Sequence, residues 1–535
     1  MGEKPLDCLL IHTPKFENWY KPLGDFLWIN YMPIGMLALA DYLVQHGYSS
    51  KIVHLGIEWI EDHDFNIVDF LEKNKPEVAA LSLHWHYQAY DVMNLAEVIK
   101  NKYPDVFTVV GGFTASYYHR EILEEFPSVN AVIRGEAELP LLRLVETVAK
   151  KEGNLQGVPN FTWKKNGEII ENELSYIATE EDLNRLRFTN IRLLNNYETY
   201  VNYVGHPFMW KKNFSKKQNF HKLSIASKTF PLAIGRGCPM SCTWCAGSAI
   251  SQQFITKRSK PVYRSIEKIL ASIKEVLEYG YETIYVVFDP FPDKQQFFID
   301  LFGKIREEEI TCEMVFECHG LPTRPFIDAF HNTFPNKESF LCISPDSGSD
   351  RVRKLHKHHF YSNEDLIDCL TYLNEKKVST EVFFTYGIPG ETLGELKETV
   401  KLKNYIKRTF KNVRCIRNLS IEMEPGAPWH LDPSKYGIIH DRHRFRDFYT
   451  AHSSKYNQTY SSLGYFIPDY FPSSSGIKEI KGFERELQKI KCKYFCFISP
   501  NPRESKSAWQ GRLFCNVLYL MDKLLPAGGS KRKIL

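Results

Sequence analysis

No stretch of this 535-residue chain stays apolar for the ~20 residues that a membrane helix needs, so hydropathy gives no membrane span. An excess of one charge is also missing. The 68 Lys and Arg against 64 Asp and Glu leave a net charge of +4, spread along the chain and too small to argue for nucleic acid as a partner. Lys531 to Lys533 reads as a solvated terminus. Residues 1–6 have neither the apolar core of a signal peptide nor the Ser or Thr of a myristoylation site, and a cytoplasmic location is expected. Cysteine is sparse, 12 in all and mostly scattered, which speaks against a disulfide framework and suits a reducing compartment. What remains is an apolar content of 43%, enough for a globular protein of about two to four domains.

Three cysteines do not scatter. Cys238, Cys242 and Cys245 form a C-x3-C-x2-C run within residues 231–248. Thiolates are ligands of iron–sulfur clusters, and this spacing lets one irregular loop wrap three corners of a cubane. No fourth cysteine stands nearby, which leaves one iron open to bind and reduce a ligand. Structural thiols and a zinc loop are the alternatives. Zinc takes four ligands, usually in two pairs, and no Cys or His follows at a suitable distance for the second pair.

With Trp244 before the last cysteine and an apolar run at 232–234 ahead of the loop, this stretch resembles the signature of radical S-adenosylmethionine (SAM) enzymes. The resemblance implies that Cys238, Cys242 and Cys245 are the metal and catalytic ligands of a four-iron four-sulfur (4Fe-4S) cluster. It also implies that SAM chelates the open iron and that Trp244 lies near the adenine.

Apolar runs at 6–12, 51–55, 77–83, 107–110 and 131–133 predict five buried strands with helices between them, hence a doubly wound, Rossmann-like parallel sheet. Ligands of such sheets sit at the carboxyl ends of the strands. The loops there hold Pro14, then Ser82, His84 and His86, then Gly111 and Gly112, then Arg134, Gly135 and Glu136. By pattern alone the paired glycines serve either a tight turn or close approach of a ligand to the backbone. His84 and His86 either face a ligand or sit half-buried in an aromatic loop. Residues 33–40, 109–112 and 132–138, in this order, resemble the cobalamin-binding domain that precedes the radical core in one large branch of the radical SAM family. The resemblance implies cobalamin contacts from Pro14, Ser82, His84, Gly111, Gly112, Arg134, Gly135 and Glu136. The Asp-x-His-x-x-Gly motif that places a histidine below cobalt in many cobalamin proteins is absent, so cobalamin would be bound without that histidine.

Residues 161–170 alternate around Asn166 and Gly167 and predict a hairpin. From 171 to 228 the pattern weakens, and this stretch reads as a connector packed between two domains. Six apolar runs then follow, at 232–234, 283–288, 313–316, 340–343, 381–385 and 415–421, with amphipathic stretches between them. Six βα units agree with the partial (β/α)6 barrel that the resemblance implies, whose active site forms at the carboxyl ends of its strands. Asp289, His319, Asp346 with Ser347, Gly387 with Pro389 and Gly390, and Glu422 with Glu424 follow the second to sixth runs. The resemblance implies SAM contacts from Trp244, Asp289, Asp346, Ser347, Gly387, Pro389 and Gly390, with Asp346 standing where the family more often has Glu. Arg351, Arg353, Lys354 and the histidines from His356 to His359 read as a solvated helix end, with anion contact as the alternative.

Aromatic residues crowd the end of the chain without a regular period, from Trp429 through Tyr436, Phe445, Phe448 and Tyr449 to Tyr470 and Phe471. They either cap the open barrel around substrate or pack beneath it. Cys492, Cys496 and Cys515 read as buried thiols rather than an auxiliary cluster. The expected α/β organisation is a cobalamin-binding domain over 1–170, a connector over 171–228, the barrel over 229–428 and an α+β extension over 429–535.

The expected function is cobalamin-dependent radical SAM C-methylation. An unactivated carbon offers no nucleophile to ordinary SAM. The resemblance implies that a 5'-deoxyadenosyl radical takes a hydrogen from substrate and that methylcobalamin then delivers a methyl group. A cyclase or oxidase that uses the same cofactors is the alternative enzyme, and a corrinoid-binding sensor or interaction module fits the first domain only. The substrate class, whether small molecule, lipid or peptide, stays open, and an electron donor such as flavodoxin or ferredoxin is implied.

Overall fold

Along the first strand, Cys8–His12, alternate side chains leave on opposite faces. Cys8 and Leu10 join one core with helices Gly35–Gln45 and Glu138–Ala149, while Leu9 and Ile11 join another with Ile67–Asn74 and Ala89–Lys102. Ile52 and Val53, Val78 and Ala79, and Val109 and Val110 divide in the same way. Strands that are apolar on both faces must be covered on both, and this is what commits them to a doubly wound sheet. The chain is described here by a computed structural model over residues 5–20, 24–28, 31–62, 64–151, 153–203, 208–209, 228–286, 294–357, 360–386, 388–420, 423–440, 442–453 and 470–472.

Five parallel strands lie in the order Ser50–His54, Cys8–His12, Val78–Ser82, Phe107–Gly111, Ala131–Ile133. The strand order therefore reverses between Cys8–His12 and Val78–Ser82, the switch point at which open α/β sheets bind ligands. Phe161–Lys165 and Glu168–Glu171 extend the sheet as an antiparallel hairpin. Its turn residues Asn166 and Gly167 have φ of 51° and 85°, the left-handed pair that a two-residue hairpin turn requires.

A second sheet carries six parallel strands in chain order: Thr229–Pro231, Thr283–Val286, Glu313–Cys318, Phe340–Asp346, Ser379–Tyr386 and Val413–Ser420. Among the described residues its first and last strands do not pair, so the barrel is open. The first strand begins earlier than its apolar run predicts. Leu232 N still donates to Tyr285 O at 2.9 Å, but the chain then peels away, and Gly235–Arg236 pairs antiparallel with Val262–Tyr263. Leu232 and Ile234 are buried by packing outside the ladder. Helices cover the outer face, as in Ile266–Glu278, which buries Ile269, Leu270, Ile273 and Val276 and is capped by Ser265.

Near the end of the described chain, helix Phe445–Ala451 neither caps the barrel nor packs beneath it. Phe445 and Phe448 are fully buried in the N-terminal core, beside Tyr118 and Phe126. Arg444 and Arg446 fasten the helix to Glu125 at 2.8 and 2.6 Å. Tyr456, Tyr460, Cys492, Cys496 and Cys515 lie outside the described residues. Among the described residues, no helix is long and apolar enough to cross a membrane.

Candidate active site

The cysteine loop leaves the Gly235–Arg236 strand and ends at helix Ala249–Thr256, whose N-cap is Ser248. Cys238, Cys242 and Cys245 are half-buried thiols. The amides of Met240 and Gly247 donate to Cys238 Sγ at 3.4 Å and Cys245 Sγ at 3.2 Å. Such donors stabilise thiolate charge and tune a cluster's potential. Burial, with Glu424 and Cys242 nearby, pushes the Cys245 thiol up. Bare thiolates here would repel one another, and coordinated iron removes that cost. Among the described residues no three His, Cys, Asp or Glu are spaced for a single metal ion. A cubane takes its thiolates at separate corners, so this donor set fits a 4Fe-4S cluster.

The loop is clamped from several sides. Thr243 Oγ1 lies 2.8 Å from His356 Nδ1, and Thr243 N donates to His356 O at 3.1 Å. Trp429 N donates to Thr243 O at 3.0 Å, and Ala246 N to Glu424 Oε2 at 2.7 Å. Burial raises the Glu424 carboxyl against the pull of that amide. Trp244 packs on Trp429 and His356, with ring centroids 6.0 and 6.2 Å apart.

His356 also reaches Pro389 O, 2.8 Å from its Nε2. Burial pulls its pKa down to about 4, so the ring is neutral at neutral pH. A carbonyl only accepts, hence Nε2 carries the proton and Nδ1 accepts from the Thr243 hydroxyl. One imidazole thereby joins the cysteine loop to the turn at Pro389 and Gly390. That turn has Gly390 at φ 75°, and Thr392 then caps helix Leu393–Thr409 in a capping box with Glu395.

The basic run at 351–357 is not a solvated helix end. Only Arg351, Lys354 and Leu355 are exposed there, while Arg353, His356 and Lys357 are buried. Arg353, 1% exposed, donates to the carbonyls of Pro345, Ser347 and Tyr361 and to Asp350 and Asn363. The run looks like surface because its acceptors come from other segments. Lys357 Nζ pairs with Asp346 at 2.7 Å and also reaches Ser344 O.

Asp346 and Ser347, expected at SAM, are engaged inside the protein. Asp346 adopts φ 63°, held by Lys357 and by Thr385 Oγ1 at 3.3 Å. Ser347 is fully buried, donates to Glu391 at 3.2 Å and accepts from Ser349 N at 3.1 Å. A Cβ on Gly348 would lie 2.4 Å from Thr399 Cα, so the turn packs straight onto helix Leu393–Thr409. Both side chains take part in shaping this turn. Asp289 and Gly387 lie outside the described residues.

At the carboxyl edge of the first sheet the expected cobalamin residues divide. Pro14 is buried, and Ser82, His84 and Gly111 are half-buried at their strand ends. His84 packs on Trp85 and Phe113, and burial lowers its pKa to about 4. Thr13 Oγ1, beside the switch point, is buried without a partner among the described residues, the kind of polar atom that a bound group satisfies. This edge fits a corrinoid with amide side chains. Gly112 answers a different need: at φ 111°, a Cβ there would lie 2.7 Å from Leu83 O and 2.8 Å from His84 Cα. Close packing of two loops excludes other residues at Gly112. Gly111 meets nothing closer than Ile133 O at 3.8 Å.

Arg134, Gly135 and Glu136 bond to the rest of the protein. Arg134 donates to Asn172 O and pairs with Glu171 at 3.5 Å. Gly135 N donates to Ser116 Oγ at 2.8 Å. Glu136 accepts from Arg236 at 3.1 Å, Arg258 at 2.6 Å and Ala178 N at 2.8 Å. Arg134 thus ties its strand end to the segment at Asn172, and Glu136 ties it to the segments at Ala178, Arg236 and Arg258. His86 is buried against His452, with Nδ1 and Nε2 2.9 Å apart. Sequence reading missed Thr243, His356, Lys357 and Arg236 as parts of the site. Of these Thr243, next to Cys242, and Arg236, next but one to Cys238, carried a positional signal.

A family model described as the B12 binding domain matches residues 30–145, and one described as the Radical SAM superfamily matches residues 232–402. An uncharacterized methyltransferase of Pyrococcus horikoshii is 26% identical over 380 residues, 69% of this chain and 72% of that one. The hopanoid C-3 methylase of Methylococcus capsulatus is 24% identical over 292 residues, 54% of this chain and 48% of that one. The anaerobic magnesium-protoporphyrin IX monomethyl ester cyclase of Cereibacter sphaeroides is 21% identical over 388 residues, 70% and 55% of the two chains. The match thus spans about half the length of the last two relatives. Among solved structures, the radical S-adenosylmethionine methyltransferase TsrM of Kitasatospora setae, with tryptophan and a SAM analog bound, superposes with a TM-score of 0.62 over 90% of this chain and 89% of that one at 12% identity. The cobalamin-dependent radical enzyme OxsB, with aqua-cobalamin bound, gives 0.61 over 97% and 72% at 14% identity. At such identities it is the fold that is shared. The two matched domains make the chain an enzyme whose cofactors are a 4Fe-4S cluster, SAM and cobalamin. The chain belongs to the radical SAM superfamily, among the members that carry a B12-binding domain ahead of the radical SAM domain.

Proposed function

We propose that the chain is a C-methyltransferase acting on an unactivated carbon of a small molecule, lipid or peptide. The observation that carries this reading is the contact of half-buried Arg236, two residues ahead of Cys238, with Glu136 and the buried Glu138, beyond the last parallel strand of the first sheet. It brings the edge suited to a corrinoid against the loop suited to a cluster. When bound, the cluster with SAM supplies a carbon-centred radical and cobalamin supplies a methyl group, a pairing that can alkylate a carbon with no lone pair.

The chain's own residues orient and enclose. Cys238, Cys242 and Cys245 hold the metal, His356 and Glu424 fix the loop between them, and Trp244 with Pro389 walls the same space around His356. A frame fixed in this way keeps reacting groups in register, which is most of what a protein adds to radical chemistry. An electron donor of the flavodoxin or ferredoxin class completes the scheme. The methyltransferase relatives support this reading. The cyclase relative supports a second one, in which the same cofactors act without methyl transfer.

The test uses anaerobically reconstituted protein with cobalamin, dithionite and SAM bearing a deuterated methyl group. Methyl transfer predicts deoxyadenosine together with label on the corrinoid. Deoxyadenosine without label on the corrinoid favours the cyclase reading, and neither product overturns both.

A further inference from the structure

Arg236 stands between two glycines that fix its backbone. A Cβ on Gly235 would lie 2.2 Å from Val262 O, and one on Gly237, at φ 88°, would lie 2.9 Å from Pro261 Cα. The main chain on either side is therefore pressed against residues 258–263, and Cys238 follows at once. The side chain alone leaves this clamp, and it crosses to the other domain. Its Nη1 donates to Glu138 Oε2 at 3.0 Å and Glu136 Oε2 at 3.1 Å, while Nη2 takes Glu138 Oε1. Glu138 is 2% exposed. Glu136 uses its other oxygen for Arg258 Nε at 2.6 Å, and Arg258 donates in turn to Ala178 O at 2.6 Å. Two carboxylates and two guanidinium groups thus tie together the end of the Ala131–Ile133 strand, the segment at Ala178, and the chain just before and just after the cysteine loop.

A two-pronged guanidinium–carboxylate contact is directional as well as attractive, because both N–H bonds must meet both oxygens in one plane. Buried in this way, it fixes geometry better than apolar packing does, since sliding leaves charges unpaired. We propose that Arg236, Glu136 and Glu138 are positioning residues that set the separation between the corrinoid edge of the first sheet and the first cluster ligand. The proposal rests on the functional reading above and adds to it the element that holds its two centres in register. Arg236 acts through the loop that it anchors.

The experiment compares the parent with Arg236→Gln, Arg236→Lys and Glu138→Gln, all reconstituted with iron, sulfide and cobalamin. The readout is the microwave power that half-saturates the cob(II)alamin electron paramagnetic resonance signal, before and after reduction of the cluster. A nearby paramagnetic cluster speeds relaxation of the cobalt spin and raises that power. The expected result is a rise on reduction in the parent, a smaller rise in Arg236→Lys, which keeps the charge but not the planar fork, and loss of the rise in both Gln variants at parental iron and corrinoid content. An unchanged rise in both Gln variants overturns the proposal. So does equal loss of iron and corrinoid in Lys and Gln variants, which marks a merely structural contact. Glu138→Gln changes no volume and only turns an amide N–H toward the guanidinium, so it decides the matter if Arg236→Gln does not fold. If the parent itself takes up no cobalamin, the functional reading fails first. Hydrogen exchange of residues 235–248 in the cofactor-free chain then tests the anchor, with an acceleration of about tenfold expected in Glu138→Gln and an unchanged rate overturning it.

Discussion

Thr243 and His356 hold each other twice, through Oγ1 to Nδ1 at 2.8 Å and through Thr243 N to His356 O at 3.1 Å. The first contact pins the residue that follows Cys242 to an imidazole that is itself fixed on Pro389 O. Replacing the ring strands a buried hydroxyl and a buried carbonyl. His356→Phe is expected to cost about 2–3 kcal/mol in urea unfolding, and Thr243→Val about 1 kcal/mol. Both variants should take up less iron than the parent on anaerobic reconstitution. Full iron content in His356→Phe would count against the clamp.

Glu424 anchors the same loop through one oxygen, 2.7 Å from Ala246 N. Glu424→Gln keeps a carbonyl acceptor, whereas Glu424→Ala leaves the amide unpaired in a buried place. Iron content should therefore fall clearly in the alanine variant and little in the glutamine variant. Equal losses in the two would point to a need for the carboxylate charge.

Neighbouring glycines should answer differently to the same change. Gly112→Ala forces a Cβ to 2.7 Å from Leu83 O at a positive φ, and the expected cost is about 1–3 kcal/mol. Gly111→Ala meets nothing within 3.8 Å and should leave stability within about 0.5 kcal/mol, yet a corrinoid lying on this edge should bind it more weakly. Chemical denaturation and cobalamin retention on gel filtration separate the two effects.

The histidines under helix Phe445–Ala451 predict a pH dependence. Burial, with Arg442 and His430 nearby, lowers His86 to about 3, and burial with His440 nearby lowers His430 to about 4. Above the unfolded value of 6.5 both folded and unfolded chains carry neutral rings, and pH has no leverage. Below it the unfolded chain takes up protons that the folded chain refuses until about 4 or lower, so stability falls as pH falls. Each ring contributes at most about 1.4 kcal/mol per pH unit. The thermal midpoint should decline between about pH 7 and about pH 5, and His86→Gln should flatten that decline. A midpoint that holds steady over this range would refute it.

Much of this protein could be read before any coordinates. Strand residues such as Leu9 and Leu10 are apolar on both faces, and Asn166 with Gly167 spells its turn, because these signals are local. The cysteine loop was legible because its ligands lie within one turn-sized segment. His356, Arg353 and Lys357 were not, since a basic run becomes an interior only when Pro345, Asp346 and Tyr361 fold over it. Glu136 was legible only in part. Its motif marks it, but its partners Arg236 and Arg258 lie far along the chain, and only folding brings them to it. Phe445 and Phe448 show the same limit, since aromatic content says that a residue is buried but not in which domain.

The central claim is that three thiolates hold a cluster that cleaves SAM. The most direct measurement is deoxyadenosine formation by anaerobically reconstituted protein with SAM and dithionite, set beside the Cys245→Ala variant under the same conditions. The account predicts about four irons per chain and deoxyadenosine from the parent, and none of the nucleoside from the variant. Deoxyadenosine from Cys245→Ala at the parental rate, with the cluster absorbance intact, would contradict it.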